Sequence, residues 1–72
     1  MRTLLSLNPG DTAEIDRIVG AAFAGRLMSM GIIPGASVKL IRKTLSGAAA
    51  IYEIRRMQIA LRSAEANQIV LK

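Results

Sequence analysis

Apolar and polar residues alternate in four short runs along the chain. Ala13 and Ile15 alternate with Thr12, Glu14 and Asp16, and Val38 and Leu40 alternate with Ser37, Lys39 and Ile41. Ala50, Tyr52 and Ile54 then stand against Ala49, Ile51 and Glu53, and Met57, Ile59 and Leu61 against Gln58, Ala60 and Arg62. A strand sends successive side chains to opposite faces, so each run predicts a half-buried strand. The first run loses its phase through Ile18 and Val19, which predicts a bulge or the strand's end. Only Arg55-Arg56 separates the third run from the fourth, which predicts a hairpin. A last apolar run covers Ile69 to Leu71. Pro9-Gly10 and Pro34-Gly35 suit the centres of type II turns, because Pro presets φ and Gly accepts φ > 0.

The segment from Ala21 to Met30 follows a different period. Phe23, Leu27 and Met30 fall at i, i+4 and i+7, one face of a helix. Gly31 follows as a C-terminal cap and Pro34 lies just beyond, so a helix of about 9 or 10 residues is predicted. Ser63 is placed to cap one further turn through Ala66, with Glu65 near the turn's positive end. Five or six short strands and one inserted helix in 72 residues predict a mainly β fold, a small and partly open barrel. No linker or repeat interrupts residues 1–72, which read as a single domain.

Size and composition narrow the function classes. Surface scaling for this mass gives about 4,300 Å² exposed when folded against about 11,200 Å² unfolded, enough for one small core. No uncharged apolar run approaches the roughly 20 residues of a membrane-spanning helix. Asn8-Pro9-Gly10-Asp11 stops the leucine-rich start before a secretory core can form. The expectation is a soluble cytoplasmic chain without stable membrane insertion. The absence of Cys and His removes disulfides, thiolate metal sites, the commonest general base and the commonest metal ligand. An enzyme is therefore not expected, and neither is a cofactor or a bound metal.

Three constellations invite chemistry. Gly20 to Leu27 has the glycine spacing of a phosphate loop, but Arg26 and Leu27 stand where Lys and a Mg²⁺-holding Ser or Thr belong. Small residues that let the helix start close to the sheet explain the spacing better. Glu14 and Asp16 share one strand face, which reads as a solvated face. Met30 and Met57 occupy apolar-periodic positions and read as core, whereas Met28 sits about 100° round the helix from Leu27. An exposed Met28 beside Gly31 points to a partner surface.

Charge adds one more possibility. Ten Lys and Arg against five Asp and Glu give a net charge of +5. Arg42, Lys43, Arg55, Arg56, Arg62 and Lys72 cluster on or beside strands, and a small barrel with a basic face is a candidate RNA binder. Single-strand binders add aromatic platforms, and Phe23 and Tyr52 are the only aromatics, so nucleic acid is the less favoured partner. Exposed Arg55 or Arg56 has the reach of an arginine finger toward a nucleotide on a partner.

Arg26-Leu27-Met28-Ser29-Met30-Gly31-Ile32-Ile33-Pro34-Gly35 resembles the RLxxLGI-x-PG core of the FeoA family. Leu7, Gly10, Ile15 and Ile18 before it, and Ala60-Leu61-Arg62-Ser63-Ala64-Glu65-Ala66 with Ile69-Val70-Leu71 after it, extend the likeness over nearly the whole chain. Ala48-Ala49 after Gly47, and Arg55-Arg56 in the hairpin, depart from the family's usual loops. The resemblance implies an SH3-like β-barrel with an inserted helix. It also implies a cytosolic accessory, recruited to the membrane's inner face, of a FeoB-type transporter for ferrous iron with a GTPase domain. The expected contact surface comprises Arg26, Met28, Ile32, Pro34, Arg55 and Arg56. Two alternatives are a small-barrel RNA binder and a detached SH3-like module of an iron-dependent repressor.

Overall fold

The computed structural model describes residues 2–72. Strand β1 (Thr12–Ile18) leads to helix α1 (Ala21–Ser29). Strands β2 (Ser37–Lys43), β3 (Ala49–Ile54) and β4 (Met57–Arg62) follow. A single turn α2 (Ser63–Ala66) and a short β5 (Ile69–Leu71) close the chain. The five strands form one sheet in the order β4-β3-β2-β1-β5. Every neighbouring pair is antiparallel. Among the described residues, β4 and β5 stand at the two edges with no ladder between them, so hydrogen bonding does not close the sheet into a barrel. The folded surface is 4330 Å², matching the value of about 4,300 Å² that scaling gives for a compact chain of this mass.

Both Pro-Gly turns form. Asp11 N–H donates to Asn8 C=O (2.9 Å) and Ala36 N–H to Ile33 C=O (3.1 Å), with Gly10 and Gly35 at φ near +90°. The core collects the inward residues of the alternating runs, Ile15, Val38, Leu40, Tyr52, Ile54 and Leu61, under Leu4, Leu7, Leu27 and Ile69. Burial of Tyr52 desolvates its phenol and pushes its pKa above the usual value.

Two expectations, for Met57 and for the α2 cap, need correction. β1 ends at Ile18, where the sequence pattern loses its phase, and an irregularity that the pattern does not mark lies earlier, between Ile15 and Arg17. A second, between Leu40 and Arg42, was not anticipated; it sets Arg42 opposite Ile51 and Lys43 opposite Ala50. Met57, expected in the core, is 53% exposed, because it opens the edge strand, beyond which no strand packs. The cap of α2 is Arg62 rather than Ser63: Arg62 N–H donates to the Glu65 carboxylate at 3.0 Å. The Ser63 hydroxyl instead donates to the carbonyls of Gly47 and Ala48, pinning α2 to the β2–β3 loop.

Candidate partner-binding surface

Helix α1 ends in a Schellman cap. Gly31 N–H donates to Met28 C=O (3.0 Å) and Ile32 N–H to Leu27 C=O (3.1 Å). Gly31 adopts φ +90°, a conformation that costs a residue with a Cβ about 1–2 kcal/mol. The motif turns the chain back so that the side chains of Leu27 and Ile32 enter the same core, both fully buried. Ile32 is thus removed from the expected contact surface; the Schellman geometry commits it to packing.

Arg26 is also engaged within the fold. Its guanidinium pairs with the Glu65 carboxylate, which is nearly buried and also accepts from Arg62 N–H. The pair ties the last turn of α1 to α2. Alternation alone carries no signal for this contact, since the residues are far apart in sequence and neither lies in a strand.

At the other end of the sheet the register gathers the remaining candidates. Lys39 faces Glu53, so the end of β3 runs beside the start of β2, just after the Pro34-Gly35 turn. Arg55-Arg56 and exposed Pro34 therefore share one end of the sheet. Gly35 N–H donates to Ile15 C=O (2.8 Å), which anchors that turn on β1. Met28 is 48% exposed on the outer side of α1. Exposed Met57 and Leu45 are apolar surface residues that the sequence reading did not select. Leu45 carries no periodic signal because it sits in a turn, and Met57 was hidden by perfect alternation.

Arg55 and Arg56 both adopt positive φ, 51° and 68°. Such a two-residue turn favours Asn-Gly, because residues with larger side chains are strained in the left-handed region. Two arginines there place two charges on a stiff tip at an energetic cost.

The charge is unevenly spread. β2, β3 and β4 with their turns carry Lys39, Arg42, Lys43, Arg55, Arg56 and Arg62 against Glu53, so 6 − 1 = +5. The rest of the chain carries Arg2, Arg17, Arg26 and Lys72 against Asp11, Glu14, Asp16 and Glu65, so 4 − 4 = 0. Lys72 pairs with Glu14 at 2.5 Å; this hydrogen bond and the carboxylate's charge raise the ammonium's pKa. The three-stranded meander thus holds the whole net charge.

Cavities are small. A groove of about 160 Å³ lies among Leu5, Lys43, Ala50, Tyr52 and Leu61, below the range of about 300–1,000 Å³ usual for small-molecule sites. A larger concavity of about 360 Å³, lined by Phe23, Arg26, Arg62, Ala64 and Glu65, falls at the low end of that range, and the Arg26–Glu65 ion pair is part of its wall. Among the described residues, no three metal-ligating side chains cluster, and no helix is long and apolar enough to cross a membrane. The phosphate-loop spacing resolves into packing at Gly20: a Cβ there would run into the Gln68 side chain, while Val19 N–H donates to Gln68 C=O.

The family model for the FeoA domain matches residues 2–72. The chain belongs to the FeoA family. A solution structure of FeoA from Chlorobium tepidum is 30% identical, with 97% of this chain and 68% of that chain aligned at TM-score 0.90. A FeoA from Stenotrophomonas maltophilia, crystallised with zinc, is 26% identical over 100% of this chain and 91% of that one, at TM-score 0.86. That protein is described as a prokaryotic SH3 domain protein and a candidate activating factor for ferrous iron transport. A manganese-dependent transcriptional repressor shares the fold at TM-score 0.86 and 23% identity, with this chain spanning 41% of it. No curated protein sequence matches the chain. FeoA membership accords with the SH3-like fold and the iron-transport association read from the helix-turn block.

Proposed function

We propose that this FeoA-family chain is an accessory of a FeoB-type ferrous iron transporter in the cytoplasm, acting by protein–protein contact and not by catalysis. The observation that carries the reading is the family match over residues 2–72. The concentration of all net charge on one meander supports a contact role, because a single-sign patch steers association. Ferrous iron is the cargo of the transporter and is not held by this chain. The proposed contact surface comprises Met28, Pro34, Arg55 and Arg56.

Ferrous iron uptake by cells lacking the chain tests the reading. Uptake falls on deletion and returns with the wild-type chain; unchanged uptake on deletion overturns it. Met28→Glu lowers the restored uptake while the chain stays folded, since a new acid near the helix C-terminus costs only about 0.3–1 kcal/mol. Full uptake with Met28→Glu removes Met28 from the surface. The repressor-module alternative rests on the shared fold alone.

A further inference from the structure

β4 is an edge strand, and the hairpin geometry shows which of its backbone groups are free. The two-residue turn makes Ile54 and Met57 a hydrogen-bonded pair. Alternation then aims the backbone groups of Met57, Ile59 and Leu61 at β3, and those of Gln58, Ala60 and Arg62 outward. Two observations fit this phase. Ser63 N–H bonds to Ala48 C=O on the β3 side, and Arg62 N–H is taken by Glu65 from outside. Among the described residues, Gln58 and Ala60 have no backbone partner beyond the sheet.

The side chains around this edge are unlike a merely protected one. Met57 is exposed and Ile59 half-buried, leaving an apolar margin where β4 ends the sheet. Arg55 and Arg56 flank one end and Arg62 the other, and β4 itself contains no acid. Strained residues persist where the surroundings or a function sustain them, and the two strained arginines stand beside the free edge.

We propose that the free edge of β4 docks an extended acidic segment of a partner protein, added as a further strand. Its backbone would pair with Gln58 and Ala60, its apolar residues would cover Met57 and Ile59, and its carboxylates would meet Arg55, Arg56 and Arg62. Peptides bind other sheet edges in this way, with main-chain bonds giving affinity and alternate side chains specificity. A second copy of this chain is a poor occupant. Antiparallel pairing of two β4 strands centred on Ile59 sets each Arg62 opposite Arg56 of the other copy. The proposal rests on the protein-contact reading but not on the identity of the transporter. A failed uptake assay and a failed peptide titration are thus separable.

The test is an NMR titration of the full chain with a capped peptide of alternating Glu and Val, about eight residues long to span the strand. A Lys-Val peptide, a polyuridine oligonucleotide and the chain alone at rising concentration run beside it. The expected result is shifts centred on Arg55 to Arg62 and about tenfold slower amide exchange at Gln58 and Ala60. Ala60→Pro abolishes binding, because it removes an outward N–H that the sheet does not use. Should that variant unfold, the exchange protection at Gln58 and Ala60 in the wild type decides alone. Shifts without that protection, equal binding of the Lys-Val peptide, preferential binding of the oligonucleotide, or self-association through the same edge each overturn the proposal.

Discussion

Leu27 and Ile32 share the core because Gly31 reverses the chain between them. Leu27→Ala should destabilise by about 2–5 kcal/mol, the cost of a lost side chain plus a residual cavity. An unshifted denaturation midpoint would contradict the packing. At the hairpin tip the signs reverse. A non-glycine residue in the left-handed region costs about 1–2 kcal/mol, while glycine's extra unfolded-state entropy costs about 0.5–1 kcal/mol. Arg56→Gly should therefore raise stability by about 0.5–1 kcal/mol while removing a charge from the proposed contact surface. A loss of stability would show that the arginine makes contacts that outweigh its strain.

Between elements, Glu65 is the link. One oxygen holds the start of α2 through Arg62 N–H, and the other meets Arg26 on α1. Breaking a fully buried pair costs about 3–5 kcal/mol, but the Arg26 side chain is 62% exposed, and water screens it and solvates the partner left behind. Arg26→Ala is expected to cost about 1–2 kcal/mol, read from urea unfolding. An unchanged midpoint would return Arg26 to the candidate contact residues. The strands and helix were legible because alternation and helical period report burial directly: the β2 and β3 cores, the α1 stripe and both Pro-Gly turns lie where the pattern puts them. What escaped was long-range or marginal. The Leu40/Arg42 irregularity has no local signature. Ser63 looks like a cap until Glu65 competes from the other side, and Met57 alternates correctly on an edge that nothing covers. Of the proposed contact residues, Arg55, Arg56, Met28 and Pro34 are exposed, whereas Ile32 belongs to the cap and Arg26 to the ion pair.

For the whole molecule, sheet order and charge distribution combine. An open order with β4 at one edge puts three of the six meander cations at the ends of a strand that is paired on one side only. The neutral remainder of the chain carries the ion pairs that brace it, Lys72 with Glu14 and Arg26 with Glu65. Such a division suits a module that presents one charged face and keeps the rest inert. It also separates a specific protein contact from diffuse attraction, because screened charge attraction fades at physiological salt, where the Debye length is about 8 Å, while strand pairing and apolar cover persist.

The most direct test of the proposed accessory role is an NMR titration of the isotope-labelled chain with the cytosolic GTPase domain of a FeoB-type transporter from the same cell at physiological salt. The account predicts localised shifts at Met28, Pro34 and Arg55-Arg56 that survive added salt. No shifts with that domain or with the intact transporter in detergent, or shifts spread over every basic residue and lost as salt rises, would contradict it.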